Sequence, residues 1–242
     1  MENNRLKLAV VTGAAVRLGK AIALALAQKG YAIALHYNQS EKAAQQTADE
    51  IGQLGVPVFL LRADLRNELE IKGMFEQISG IGLPLRVLVN SAGVMPKQDI
   101  LNITAEDWDA VMDVNLRAAW LCAVESARLM EPGGVIINIS DTGARRAWTG
   151  YPVYIVSKAA LEVLTRLLAR RLAPHIRVNA IAPGLVLRGE NTSKDEWEQL
   201  IKKIPLGQSG STDEIGKAVI FLLESVYITG EVLVIDGGYG LT

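Results

Sequence analysis

The chain has 242 residues, of which 50% are hydrophobic and 21% charged, so material for a buried core is ample and a disordered chain is excluded. Lys plus Arg number 25 and Asp plus Glu 26, and a net charge of -1 argues against a nucleic-acid binder held by phosphate contacts. One cysteine excludes an internal disulfide or a cysteine zinc cluster, and with only two histidines no metal site is expected.

Apolar runs and helical periodicities alternate along the chain. Leu8 to Val11 reads as a buried strand, and Leu18 to Gln28 as a helix stopped by Gly30. Ala32 to Leu35 is a second strand, Glu41 to Leu54 a polar, alanine-rich helix, and Val58 to Leu61 a third strand. A helix from about Arg66 to Ile78 follows, then a strand from Leu85 to Val89. Thr104 to Met130 is long enough for one or two helices. Val135 to Ile139 is the fifth strand, Tyr151 to Leu172 a helix, Ile176 to Ile181 the sixth strand and Glu231 to Ile235 the seventh. The alternation predicts an α/β fold, a single doubly wound Rossmann-type domain over residues 1–242. Its seven-stranded parallel sheet carries helices on both faces. Residues 183–205 fall outside the alternation, with a short helix near Lys194 to Lys203, and are expected to act as a substrate loop or lid. No run approaches the ~18 apolar residues of a membrane helix. The start, Met1-Glu2-Asn3-Asn4-Arg5, lacks a leader layout, so a cytoplasmic protein without membrane contact is expected.

Thr12-Gly13-Ala14-Ala15-Val16-Arg17-Leu18-Gly19 joins the first strand to the first helix. A dinucleotide pyrophosphate sits at such a turn, on the free N–H groups and positive dipole end of the helix. Gly13 permits the tight turn and Gly19 close packing of the helix; a purely structural turn is the plainer alternative. Arg17 stands where a second glycine is usual, and its guanidinium can meet phosphate or an anionic substrate edge. About twenty residues on, His36-Tyr37-Asn38-Gln39-Ser40 contains no acid to bind a ribose 2′-hydroxyl, which favours NADP(H) over NAD(H). The preference is modest, because no Arg or Lys stands there, and His36 reads equally as a packed strand-end histidine.

Tyr154 and Lys158, four apart on a helix, share a face. An ammonium near a phenol is expected to lower its pKa from about 10, making Tyr154 a proton donor for a hydride reduction. Cys122 reads as a small buried residue, and Trp148 and Trp197 as packing residues that could alternatively face substrate.

The set Thr12-Gly13 with Gly19, Asn90-Ser91-Ala92-Gly93, Asn115, Tyr154-Ile155-Val156-Ser157-Lys158 and Pro183-Gly184 resembles the short-chain dehydrogenase/reductase family in order and spacing. The resemblance implies a nicotinamide cofactor, a small-molecule substrate and usually a homotetramer. It implies that Tyr154 is the general acid/base, that Lys158 holds the nicotinamide ribose, and that Asn115 anchors a water in the proton relay. Asp64-Leu65 would line the adenine pocket, with Asn90, Ala92, Gly93, Pro183 and Gly184 around the cofactor.

The family's usual serine, thirteen residues before the tyrosine, is here Asp141, and Ser140 beside it must point to the opposite face. Asp141, Arg17, Leu35-His36-Tyr37 and the ending Asp236-Gly237-Gly238-Tyr239-Gly240-Leu241 resemble the pteridine reductase branch, which reduces dihydropterins with NADPH. A C=N bond needs a proton on nitrogen, which an Asp–Tyr pair can supply. Two features depart from that branch: Gly93-Val94-Met95-Pro96 lacks an aromatic to stack on a pterin, and Val16 and Gln39 replace bases that grip a 2′-phosphate. A carbonyl or 3-oxoacyl-type reductase is the alternative. A non-catalytic dinucleotide sensor is the minor one, with no need of the Tyr154–Lys158 pair.

Overall fold

The computed structural model describes residues 5–146, 148–189 and 192–242. The reading of a missing leader rests largely on Met1 to Asn4, which lie outside them, as do residues 190 and 191 of the expected lid. Seven strands form one sheet: β1 (Leu8–Val11), β2 (Ala32–Tyr37), β3 (Val58–Arg62), β4 (Leu85–Asn90), β5 (Gly134–Ile139), β6 (Ile176–Pro183) and β7 (Val232–Ile235). Their order is β3-β2-β1-β4-β5-β6-β7, and every neighbouring pair is parallel. Parallel strands are covered on both faces, so β1, β2 and β5 are buried at every residue and read in the sequence as unbroken apolar runs.

Alternate residues of β1 feed two cores. Ala9 and Val11 pack with α1 (Arg17–Gln28), α2 (Glu41–Gly52) and α8 (Thr212–Glu224). Leu8 and Val10 pack with α3 (Glu68–Gly80), α5 (Ala118–Leu129) and α6 (Pro152–Leu172) on the other face. The remaining helices are α4 (Ala105–Met112) and α7 (Lys194–Ile201). α4 and α5 are joined without a break by a π turn, Asp113–Arg117. α7 lies within the 183–205 segment and buries none of its residues. α8 was not expected from apolar periodicity, although Ser211 and Glu214 form a capping box at its start. α3 begins two residues later than expected, because the Asn67 side chain caps it by accepting the Leu69 N–H. No described helix is long and apolar enough to cross a membrane.

The strand order reverses between β1 and β4, so the chain segments leaving their carboxyl ends diverge and open a crevice there.

Candidate active site

One wall of the crevice is the turn between β1 and α1. Gly13 has φ +65°, and a Cβ there would lie 2.9 Å from the Ala92 Cα, so only glycine fits both the backbone and the neighbour. Gly19 rests directly against the Gly13 carbonyl. Thr12 ties the two crevice strands together, its Oγ1 accepting the N–H groups of Ser91 and Ala92 at 3.0 Å each. That residue had no assigned role in the sequence. Arg17 adopts φ +53°, the left-handed conformation natural to the glycine it replaces. Its guanidinium donates to the Arg188 carbonyl (3.2 Å), linking the turn to the 183–205 segment. Among the described residues the N–H groups of Arg17, Leu18 and Gly19 have no acceptor, and neither a capping side chain nor an acid stands in the first turn of α1. Such a cradle fits the pyrophosphate of a dinucleotide.

The residues expected around that cofactor divide. Asn38 is half-buried and Ser40 exposed at the carboxyl end of β2. His36 is buried, its Nδ1 accepting the Gly13 N–H and its Nε2 bonded to the Ala63 carbonyl, both at 3.0 Å. With both nitrogens engaged inside the protein, it supports the turn from behind rather than meeting a ligand. Tyr37 and Leu65 belong to the two cores, and Leu18 packs partly on the first. Asp64 holds Arg66 in a salt bridge and offers its N–H to Glu70. Asn90 is buried and cross-links to Asn138 Oδ1 (2.9 Å) and the Ala119 carbonyl (3.2 Å). Gly93 is exposed, close to Asn115 Oδ1 and Lys158 Nζ. Pro183 ends β6, and a Cβ on Gly184 would strike Asp236, so that glycine lets β6 lie against β7.

The opposite wall carries the titratable groups. Asp141 follows β5 in extended conformation; its Oδ1 accepts the Gly143 N–H (2.7 Å) and its Oδ2 accepts the Tyr154 hydroxyl (2.7 Å). Ser140 turns inward instead, its hydroxyl donating to Glu162 (3.2 Å), as strand alternation requires. Lys158 lies 5.7 Å from the Tyr154 ring centre and donates to the Ile139 carbonyl (2.7 Å). Asn115 projects from the π turn. Its Oδ1 accepts the Val94 N–H (2.8 Å), and its amide donates to the Val94 carbonyl (2.9 Å) and to Ser157 (3.0 Å). Both amide hydrogens are thus spent on protein, and the side chain clips the segment after β4. Trp148 packs on Gly143 and faces Tyr239, their ring centres 6.1 Å apart. Cys122 is wholly buried in α5, and burial pushes its thiol up to about 12.

The expected lowering of the Tyr154 pKa does not hold. Burial pushes it well above 10, and the adjacent Asp141 carboxylate pushes it further, because an anion disfavours a phenolate. Lys158 was expected to set this pKa, whereas Asp141, the other expected partner of Tyr154, is the charge in hydrogen-bond contact. Burial also raises Asp141 above the usual carboxylate range, opposed by its bonds from Tyr154 and Gly143 and by the Lys158 charge. Lys158 is brought down to about 8 by burial, with Asp141 opposing. A carboxyl raised by burial and bonded to a phenol forms a pair through which a proton can pass.

The model of a family described as enoyl-(acyl carrier protein) reductase matches residues 13–240. The chain belongs to the short-chain dehydrogenase/reductase family. It is therefore an oxidoreductase that uses a nicotinamide dinucleotide. It is 34% identical to the 3-oxoacyl-[acyl-carrier-protein] reductase FabG of Staphylococcus aureus, over 96% of this chain and 97% of that one. It is 37% identical to carbonyl reductase family member 4 of Danio rerio, over 97% and 98% respectively. Among solved short-chain dehydrogenase/reductase structures it resembles FolM alternative dihydrofolate reductase 1 from Brucella canis, complexed with NADP. That match has a TM-score of 0.93 and 33% identity, covering 98% of this chain and 94% of the other.

Proposed function

We propose that the protein reduces a dihydropterin or a related planar C=N substrate, with NADPH preferred over NADH. The observation that carries this reading is the 2.7 Å bond between Tyr154 and Asp141, at the position where the family usually has serine. The nicotinamide, when bound, supplies a hydride to the carbon of the C=N bond. Tyr154 gives its hydroxyl proton to the ring nitrogen, and Asp141 returns a proton to the phenolic oxygen, so that C=N becomes CH–NH. Lys158 holds the nicotinamide ribose, and Asn115 fixes the wall behind it. Gly13, Arg17, Leu18 and Gly19 receive the pyrophosphate, and Asn38 and Ser40 flank the adenosine ribose without an acid to repel a 2′-phosphate. Replacing exposed Gln39 with Arg strengthens NADPH binding relative to NADH; an unchanged ratio of the two affinities refutes this placement of the ribose.

Residues 1–242 act as one cytoplasmic unit, with 183–205 closing over the substrate. Exposed Trp120 on α5, and exposed Val163 and Leu167 one turn apart on α6, support a homotetramer, since exposed apolar side chains call for cover. A carbonyl or 3-oxoacyl substrate is the second reading, favoured by the FabG and carbonyl reductase relatives and by Met95 where a stacking aromatic is absent. Following NADPH and NADH oxidation with dihydropterin, dihydrofolate and a 3-oxoacyl thioester separates the two. Turnover of the thioester alone refutes the pterin reading.

A further inference from the structure

Three parts of the chain meet at the His36 imidazole: the glycine turn through the Gly13 N–H, the end of β3 through the Ala63 carbonyl, and β2, on which it sits. The partners determine the tautomer. A carbonyl can only accept, so the proton is on Nε2; an N–H can only donate, so Nδ1 presents its lone pair. The same residue also holds the turn through its main chain, its carbonyl accepting the Ala14 N–H at 2.9 Å. A cation at this position would direct an Nδ1–H at the Gly13 N–H, replacing a bond by two opposed donors. Gly13 cannot evade this by moving inward, because it already lies against Ala92.

The surroundings favour the neutral ring. On this face of the sheet β1 and the rest of β2 carry apolar residues, and burial pushes His36 below the usual histidine range. The charge acting in the other direction is Asp64, after β3, which is itself paired with Arg66 and bonded to Glu70 of α3. From the glycine turn the charged residue is Arg17, exposed and bonded to Arg188.

We propose that His36 is a positioning residue for the dinucleotide: its neutral Nε2–H tautomer holds Gly13, and with it the phosphate cradle, in the binding conformation, and protonation releases that hold. The inference rests on the nicotinamide cofactor of the family and not on the pterin substrate, so either can fail without the other. It assigns His36 an action through Gly13, without contact to the ligand. The dinucleotide affinity of the wild type then falls as pH drops below the ordinary histidine range, where the free protein takes up the proton that the binding conformation rejects.

The test is calorimetric titration of NADP+ and NAD+ from about pH 8 to about pH 5, using the wild type, His36→Asn and His36→Phe, with circular dichroism at each pH to verify folding. Asn places a carbonyl oxygen where Nδ1 stood, so it keeps the Gly13 bond and cannot titrate; Phe keeps neither. The 2′-phosphate of NADP+ titrates near pH 6 itself, so the readout is the wild-type to His36→Asn affinity ratio, in which the ligand's own titration cancels. At pH 8 that ratio is expected within about threefold of unity and to fall about tenfold in acid, the scale of one lost hydrogen bond. His36→Phe binds about tenfold more weakly than His36→Asn at every pH. A ratio that does not change with pH, or a folded His36→Phe that binds as tightly as wild type at pH 8, overturns the proposal. If His36→Phe does not fold, the wild-type to His36→Asn ratio still decides. Ring ¹⁵N shifts showing an Nδ1–H tautomer at pH 8 overturn it independently.

Discussion

Replacing Asp141 with Ser tests the pterin reading at its most distinctive residue. The wild-type carboxyl accepts the Tyr154 hydroxyl at 2.7 Å and the Gly143 N–H at 2.7 Å, and both bonds involve a group able to carry charge. Serine can keep at most one of them, and it cannot store a proton for return to Tyr154. A hydrogen bond to a charged group contributes about 1.5–3 kcal/mol. If that contribution is realised in the proton-transfer step, dihydropterin turnover falls about ten- to hundredfold. A simple ketone takes its proton from Tyr154 and needs its carbonyl oxygen polarised, which a serine hydroxyl can do, so activity on a 3-oxoacyl ester is expected to hold or rise. The assay is NADPH absorbance loss under saturating cofactor, with kcat/KM for both substrates measured on wild type and variant. The reasoning is refuted if the variant reduces dihydropterin as fast as the wild type. It is refuted equally if both substrates lose activity by the same factor, because that is the signature of general damage to the site.

Tyr154→Phe removes the hydroxyl but keeps the ring, so NADPH binding by fluorescence should be nearly unchanged while turnover falls about a hundredfold or more. Near-normal turnover would remove Tyr154 from the mechanism. Lys158 loses its charge as pH rises through about 8, so turnover and dinucleotide affinity should decline there. Its stability effect has the opposite sign. Between about 8 and 10.5 the unfolded chain holds that proton and the folded chain does not, so this group favours folding increasingly as pH rises. A Lys158→Met variant should lack that trend in thermal melts across the window, and an identical slope would show that the assignment is wrong. Gly19→Ala drives a Cβ into the Gly13 carbonyl, a backbone group that cannot swing aside. About 1–3 kcal/mol of stability should be lost, visible as a Tm lowered by several degrees, and an unchanged Tm would contradict the packing of the turn.

The strands were legible because burial on both faces leaves no polar residue to interrupt them; β5, Gly134–Ile139, is buried throughout. The glycine turn was legible because Gly13 and Gly19 each face backbone at a distance no side chain tolerates. What escaped was direction. Ala32, Ala34 and His36 share one face of β2, but both faces of that strand are buried, so alternation alone does not say whether the ring packs inside or meets a ligand. The acid-for-serine exchange at Asp141 and its pairing with Tyr154 were legible, but the rise in the Tyr154 pKa was not, because spacing shows neither the burial of the pair nor which neighbouring charge lies nearer. The signals for α8 are its capping box, Ser211 with Glu214, and the buried Ile215, Ala218, Val219 and Leu222 at helical spacing behind it.

The π turn at Asp113–Arg117 shows what aiming a single amide requires. A π turn holds one residue more than the α turn it replaces, so α4 and α5 lie about 100° out of phase across it. Deleting one residue between Asp113 and Arg117 would let the two segments run as a regular helix, with better hydrogen-bond geometry than the bulge permits. It would also rotate one segment relative to the other, taking Asn115 away from Val94 and Ser157 or the buried side of α5, from Ala118 to Ser126, away from its core. A shortened chain of that kind could be the more regular helix and the poorer catalyst. Here the least regular stretch of the helical layer is the one that determines where the active site's side chains point.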